Sequence, residues 1–300
     1  MLFELNNGVK IPVIGLGTWQ STPDEVYNAV TEALAVGYRH IDTAFAYGNE
    51  EPIGRAIRDS VIPRNELFVT TKLWSTHHHD PAKALDISLK NLGLDYVDLY
   101  LVHWPVAMNP NGNDPKFPSR PDGTRDVDES TNFVETWAKM QQLDPKKVRA
   151  IGVSNMSISN LEKLLSAPST KVVPVVNQVE LHPLLPQPNL LKWCQDHKIY
   201  LEAYSPLGST DSPLLSNPTI VELAEKYQVP PATVLISWAI WRKTIVLPKS
   251  VTPARIKSNF NVVHLSEADG NIIDKVAHEY GTKRFINPDW GVKIFDDADA

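Results

Sequence analysis

The chain has 300 residues, 42% hydrophobic and 21% charged, with 29 Lys and Arg against 35 Asp and Glu for a net charge of -6. That mix excludes collagen-like, disordered and disulfide-stapled classes, and the acidic balance argues against a nucleic-acid partner, which calls for a basic face. No apolar run approaches the roughly 18 residues of a membrane span, so no membrane association is expected. In chain order, residues 3–12 (FELNNGVKIP) read as a hairpin turning at Asn7-Gly8, and a short strand follows at 14–17. Pro23 opens the way to a helix whose bounds stay unassigned. Strand 38–42 precedes helix 49–60, strand 67–72 helix 81–92, and strand 97–103 helix 129–143. Strand 148–153 precedes helix 158–166, and strand 173–178 helix 189–197. Strand 200–204 is followed by two helices, 219–227 and 232–241. Strand 244–247 and helices 253–259 and 267–280 close the series. Residues 109–126 (NPNGNDPKFPSRPDGTRD) read as a long loop.

Eight strands alternating with helices imply a parallel sheet covered by helices. Eight units favour a closed (β/α)8 TIM barrel, with an N-terminal β-hairpin as a bottom cap and two extra helices. Residues 1–300 are expected to form one domain. A single cysteine, Cys194, rules out an intrachain disulfide and fits a cytoplasmic setting. The first ten residues, MLFELNNGVK, lack the layout of a signal peptide.

Barrel enzymes carry their chemistry where strands end on the C-terminal face. Asp42 ends the second barrel strand, with Tyr47 in the loop beyond it. Lys72 ends the third and His103 the fourth. Taken singly, each reads as a cap, a surface charge or a satisfied core residue. Together they put four ionisable groups at one mouth. Gly15-Leu16-Gly17 with Asp42 downstream has a faint look of a dinucleotide fingerprint, but Gln20 stands where the third glycine belongs. The C-terminal end offers a better anion site, where Thr252 and Pro253 open a helix flanked by Lys249 and Arg255.

The chain resembles the aldo-keto reductase family over nearly its whole length. The resemblance is carried by IPVIGLGTW (11–19), GYRHIDTAFAYGNE (37–50), VTTKLW (69–74) and DLYLVHWP (98–105). It continues in AIGVSN (150–155), NQVELHP (177–183), AYSPLGS (203–209) and LPKSVTPARI (247–256). The resemblance implies a catalytic tetrad of Asp42, Tyr47, Lys72 and His103 in an NADPH/NADP+-dependent oxidoreductase that reduces aldehydes and activated ketones. Tyr47 would give the proton. A free phenol titrates near 10, and Lys72 is expected to lower that value. Asp42 would pair with Lys72, and neutral His103 would orient the carbonyl.

The same resemblance implies that Lys249, Ser250, Val251, Thr252 and Arg255 hold the 2′-phosphate and ribose, and that Asn259 meets the adenine. Ser154, Asn155 and Gln178 would hold the nicotinamide carboxamide, with Tyr204 stacked on the ring. Ser205, Leu207 and Ser209 would line the pyrophosphate path, and Gly17, Thr18, Trp19 and Asp42 the near wall. The segment after Ser209 is short, so cofactor release is expected to be less gated than in relatives with a longer clamp. Ser258 also stands where many relatives carry an acidic residue or glutamine.

Trp19, Trp74 and Trp104 lie just past strand ends and are expected, with Tyr47 and His103, to line an apolar substrate pocket. Phe117 of the long loop and Trp290 of the tail are further candidates. Trp137, Trp193, Trp238 and Trp241 read as packing residues. The short tail is expected to leave the pocket more open than in animal aldose reductases. Its sequence, FINPDWGVKIFDDADA, is similar to fungal family members that reduce glyceraldehyde or oxidise glycerol. Metal binding is not expected, and His77-His78-His79 read as a solvated loop. Two alternatives stand beside the reductase: a polyol dehydrogenase running in reverse, and a non-catalytic cofactor-sensing or structural barrel. The expected partner is a small carbonyl compound, and the expected state a monomer.

Overall fold

The computed structural model describes residues 1–209 and 212–296. Thr210 and Asp211 of the short segment after Ser209, and residues 297–300 of the tail, lie outside the described residues. An antiparallel hairpin, β1 (Leu2–Glu4) with β2 (Lys10–Pro12), leads the fold. Eight parallel strands follow: β3 (Leu16–Gly17), β4 (His40–Asp42), β5 (Phe68–Leu73), β6 (Val97–Val102), β7 (Val148–Ser154), β8 (Val176–Glu180), β9 (Tyr200–Tyr204) and β10 (Ile245–Val246). They pair in chain order from β3 to β10. The sheet then closes on itself. Gly15 N donates to Val246 O at 2.9 Å, Val246 N to Val13 O at 2.8 Å, and Gly17 N to Pro248 O at 3.1 Å. The result is the expected (β/α)8 barrel.

The two glycines that faintly suggested a dinucleotide turn serve this closure. A Cβ on Gly15 would stand 2.6 Å from Leu247 Cδ2 and 2.8 Å from the His40 ring, so only glycine lets the first strand approach the last. The hairpin plugs the bottom. Leu5 and Ile11 pack with Phe68, Leu99, Leu101 and Ile245 inside the ring. All residues of β5 and β6 are buried, as parallel strands covered on both faces should be.

Around the ring lie α1 (Pro23–Val36), α2 (Glu50–Asp59), α3 (Pro81–Leu92), α4 (Phe133–Met140), α5 (Ile158–Ser166), α6 (Pro188–Asp196), α7 (Pro218–Tyr227), α8 (Pro231–Trp241) and α9 (Pro253–Phe260). Closing helices α10 (Glu267–Asp274) and α11 (Val276–Tyr280) end the series. Most boundaries shift by a residue or two, and three elements depart further from expectation. The helix expected over 129–143 starts only at Phe133, because the Asn132 side chain takes the amides of Val134 and Glu135 at 3.0 and 3.2 Å. The strand expected from residue 173 starts at Val176, after Pro174, which has no N–H to give a ladder. The closing helix breaks at Lys275, where the backbone tightens into i→i+3 bonds. Trp137 and Trp238 are fully buried packing residues, as expected.

Of His77, His78 and His79, expected as a solvated loop, His79 is exposed and His77 half-buried, but His78 is not solvated. They lie at a one-turn 3₁₀ helix and the bend after it. His78 is buried against the Thr136 hydroxyl at 3.1 Å, with its pKa lowered by burial to about 3. His79 pairs with Asp128 at 2.6 Å. Among the described residues no cluster of side chains suited to a metal ion exists.

Gly54 shows how tightly the outer layer packs. It lies in α2, and a Cβ there would overlap the Leu92 carbonyl at the end of α3. Helix propensity alone favours alanine by about 1 kcal/mol. Overlap with a backbone group outweighs that, because the neighbour cannot swing aside. Gly54→Ala should therefore destabilise the fold by about 1–3 kcal/mol, read as a lower thermal midpoint.

Candidate active site

The strand ends converge as the chain order requires. Asp42 is the last residue of β4, Lys72 the last but one of β5, and His103 the first past β6. Tyr47 ends a one-turn 3₁₀ helix that follows β4. Lys72 is wholly buried, and its ammonium donates to Asp42 Oδ1 at 2.7 Å, Asp42 Oδ2 at 2.9 Å, Thr43 O at 2.8 Å and Tyr47 OH at 3.2 Å. Burial is the largest influence and works against this charge, but Asp42 and Tyr47 together outweigh it and raise the Lys72 pKa above the ordinary lysine value. Lys72 is therefore cationic at neutral pH.

The Tyr47 phenol departs from expectation. Its pKa is raised, not lowered. Burial in the mouth is the main cause, Lys72 opposes it, and Asp42 adds to it. Lys72 does not overcome burial because its charge is already engaged by a carboxylate. The phenol is therefore a proton-loaded group beside a cation, not a resting phenolate. His103 is 7% exposed, and burial pulls its pKa well below the ordinary imidazole value, so the ring is neutral as expected. It meets Tyr47 edge-on at 5.7 Å and Trp74 edge-on at 5.2 Å.

The ring mouth opens into a cavity of about 550 Å³. Its lining brings together Gly17, Thr18, Trp19, Asp42, Tyr47, Trp74, His103, Trp104, Ser154, Asn155, Gln178, Tyr204, Ser205, Leu207, Ser209 and Lys249. Phe117 and Trp290 complete its aromatic rim, so the long loop and the tail both reach the pocket. Trp74 stands edge-on to Phe117 at 5.1 Å and to Trp290 at 6.2 Å. The loop is tied down by Trp74 Nε1, which donates to Lys116 O at 2.6 Å. Lys72 lies behind Asp42 and Tyr47 and does not line the cavity.

Of the residues expected at the far end of a cofactor, Lys249 lines the cavity and the others stand outside its lining. Lys249, Thr252 and Arg255 are exposed. Ser250 is buried, and its Oγ accepts from Thr252 N at 3.1 Å. Val251 is half-buried, and Asn259 is buried near the C-terminal end of α9. Thr252 occupies the N-cap of α9 but makes no side-chain cap bond. Gln20, Ala46, Pro206, Gly208, Leu247 and residues 285–288 line the cavity without having been singled out. Pro206, Gly208 and Leu247 sit inside quoted motifs. Residues 285–288 open the quoted tail FINPDWGVKIFDDADA.

Among the described residues, three of the seven non-glycine residues with positive φ lie here. Gln20, Asn155 and Ser205, all just past strand ends, hold φ of 58°, 59° and 48°. Such conformations in non-glycine residues persist where their surroundings over-determine them. Asn155 shows how: Nδ2 donates to His103 O at 3.0 Å and to Ser154 Oγ at 3.2 Å, and Oδ1 accepts from Tyr204 OH at 2.8 Å. Gln178 is held still more firmly. Its Nε2 donates to Asp42 Oδ2 at 2.9 Å and to Glu202 Oε2 at 2.7 Å. Two carboxyl oxygens claim both N–H groups, so Oε1 is left as an acceptor at the mouth. Glu202 was missed, although an acid inside the apolar strand YLEAY is out of pattern.

The arrangement can donate a proton from Tyr47 to an oxygen placed beside His103. The Aldo/keto reductase family model matches residues 13–278. The chain is 53% identical to glycerol 2-dehydrogenase (NADP(+)) of Saccharomyces cerevisiae, over 96% of this chain and 95% of that protein. It is 51% identical to aldehyde reductase YPR1 of the same yeast, over 96% and 94%. Among solved structures, the aldose reductase from Schistosoma japonicum superposes with a TM-score of 0.88 at 37% identity, covering 95% of this chain and 94% of that one. The chain belongs to the aldo/keto reductase family.

Proposed function

We propose that the protein is an NADPH-dependent reductase of aldehydes and activated ketones, with Tyr47 as the proton donor. The observation that carries this reading is the Tyr47 hydroxyl, 3.2 Å from the buried Lys72 ammonium, at an aromatic-walled cavity shared with His103. Carbonyl reduction adds a hydride to carbon and a proton to oxygen. When bound, the reduced nicotinamide supplies the hydride. Tyr47 gives the proton, and a positioned acid contributes roughly 10²–10⁴ in rate. Lys72 acts as the proton leaves, since a cation favours the phenolate more than the phenol. Asp42 holds that cation in place. Neutral His103 offers a ring N–H to the substrate oxygen.

The donor set fits the cofactor. Gln178 Oε1, Asn155 Oδ1 and Ser154 Oγ present acceptors for a carboxamide, while Tyr204 offers its ring at the same wall. Gly17, Thr18, Trp19, Asp42, Ser205, Leu207 and Ser209 line the same cavity. Exposed Lys249 and Arg255, beside the α9 N-terminus, suit the 2′-phosphate, with Ser250, Val251 and Thr252 between them. For Asn259 at the adenine the support is resemblance alone. The chain reads as one domain, since its strands close a single ring. A cytoplasmic monomer belongs to the same reading, supported by a buried Cys194 and by exposed apolar residues that are mostly scattered along the chain.

Short aldehydes and polyols are the favoured substrate class, in line with the yeast relative named for glycerol. By microscopic reversibility the same residues would oxidise the polyol, with Tyr47 then taking the proton.

Tyr47→Phe should lose about 10²–10⁴ in turnover and keep its NADPH affinity by fluorescence titration. Near-normal turnover would remove Tyr47 as the acid. The pair Lys249→Ala and Arg255→Ala should weaken NADPH by about 10²–10⁴ while leaving NADH little changed, from two charge-assisted contacts of roughly 1.5–3 kcal/mol each. Equal weakening of both would move the phosphate elsewhere. NADPH consumption with glyceraldehyde, a pentose, glucuronate and an aromatic aldehyde, beside NADP+ reduction with glycerol, tests the substrate class. Glyceraldehyde should lead, and a profile led by the aromatic aldehyde would reject the short-polyol preference.

A further inference from the structure

We propose that Glu202 is a positioning residue for carbonyl reduction: lodged between Gln178 and His40 beneath the Asp42–Lys72 pair, it serves as a neutral acid, and its ionisation weakens the Tyr47 proton donor. This rests on Tyr47 as the acid.

Glu202 is fully buried inside the ring on β9. Its Oε2 accepts from Gln178 Nε2 at 2.7 Å. Its Oε1 receives no hydrogen bond and faces His40 Nε2 at 3.5 Å. The His40 tautomer locates the proton. His40 Nδ1 lies 3.1 Å from Pro12 O, and a carbonyl only accepts, so Nδ1 carries the hydrogen. Burial pulls the His40 pKa to about 4, which leaves the ring neutral and Nε2 a lone pair. That lone pair faces Thr70 Oγ1 at 3.3 Å and Glu202 Oε1 at 3.5 Å. A proton on Oε1 completes the contact. A bare carboxylate there would set an unpaired buried charge against a lone pair, at high desolvation cost.

The groups facing Glu202 from each neighbouring strand favour the neutral acid on balance. On β4 stand His40 and ionised Asp42, on β5 cationic Lys72, on β8 neutral Gln178, while β10 contributes only the apolar Ile245. Asp98 on β6 acts on His40. Burial first and Asp42 second raise the Glu202 pKa to about 8, against the Gln178 hydrogen bond and Lys72. Glu202 is thus protonated at neutral pH and ionised above about 8. Once ionised, it adds a second carboxylate to the single Lys72 cation. Glu202 acts on Tyr47 in the direction that raises the phenol pKa, making the proton harder to give. The same carboxyl holds Gln178, whose Oε1 is the acceptor at the mouth.

Glu202→Gln imitates the neutral acid, because its oxygen can accept from Gln178 and its N–H can meet His40 Nε2. The test measures kcat/KM for an aldehyde at saturating NADPH across pH. The wild type should step down above about 8 to a lower plateau, before the phenol's own decline at higher pH. Glu202→Gln should keep its neutral-pH value within about threefold, with its first decline moved above 10, into the range of the phenol itself. Superimposable profiles would overturn the proposal, and so would a folded Glu202→Gln protein that is inactive at neutral pH. If that variant does not fold, infrared titration of the wild type decides. A carboxylic-acid carbonyl band present at neutral pH and lost near pH 8 supports it, and absence of the band overturns it. A dead Tyr47→Phe with unmoved Glu202→Gln would reject only the Glu202 role. An active Tyr47→Phe would reject the Tyr47 reading beneath it.

Discussion

A buried ammonium organises this barrel's mouth. Lys72 has no exposed surface, so its charge must be satisfied entirely by protein. Asp42 supplies both carboxyl oxygens, Thr43 a carbonyl and Tyr47 a hydroxyl. These bonds join the ends of β4 and β5 and draw the loop carrying Tyr47 inward. Asp42 is itself tied on both sides: its carbonyl accepts from Thr18 Oγ1 at 2.8 Å, and its carboxylate accepts from Gln178. One cation thus fixes side chains from widely separated stretches of the ring.

The network continues below the mouth with a different logic. Around Lys72 the charges are formal and paired. Around Glu202 and His40 burial instead favours neutral forms, one a carboxylic acid and the other an imidazole with a fixed tautomer. The two halves meet at Gln178, whose amide hydrogens bridge Asp42 and Glu202. A neutral amide there lets two carboxyl groups lie near each other without a second cation. It also leaves the amide with one orientation. The barrel interior is therefore a graded medium, ionic at the rim, neutral and polar beneath it, and apolar at the hairpin plug of Leu5 and Ile11.

The pocket walls come from outside the repeat. Phe117 arrives on the long loop after β6 and Trp290 on the tail after α11, and both stand edge-on to Trp74. The tail is anchored by Glu180, whose carboxyl oxygens accept the Phe285 and Ile286 amides at 2.7 and 2.8 Å. The ring thus holds the reacting groups while irregular segments shape the space above them. That division suits a family in which one chemistry serves many carbonyl compounds.

Much of this was legible in the residue order. The alternation of apolar strands with helices placed all eight strands, and helices 81–92 and 158–166 were read to the residue, since Asp80 and Ser157 cap them in the usual way. The strand-end positions of Asp42, Lys72 and His103 followed from the same alternation, because a strand's last residue is set by local pattern. What depends on environment was not legible. The rise of the Tyr47 pKa requires knowing that Asp42 already engages Lys72 and which residues crowd the phenol at the mouth. The burial of His78 requires knowing that α4 packs over it. Glu202 joins Gln178 and His40 only once the ring closes, through contacts 24 and 162 residues apart in sequence. The order of residues thus determined the scaffold and the cast of reacting groups, because periodicity and strand ends are local. Tertiary structure alone decided which of those groups carry charge, because charge depends on desolvation and on neighbours brought from the far side of the barrel.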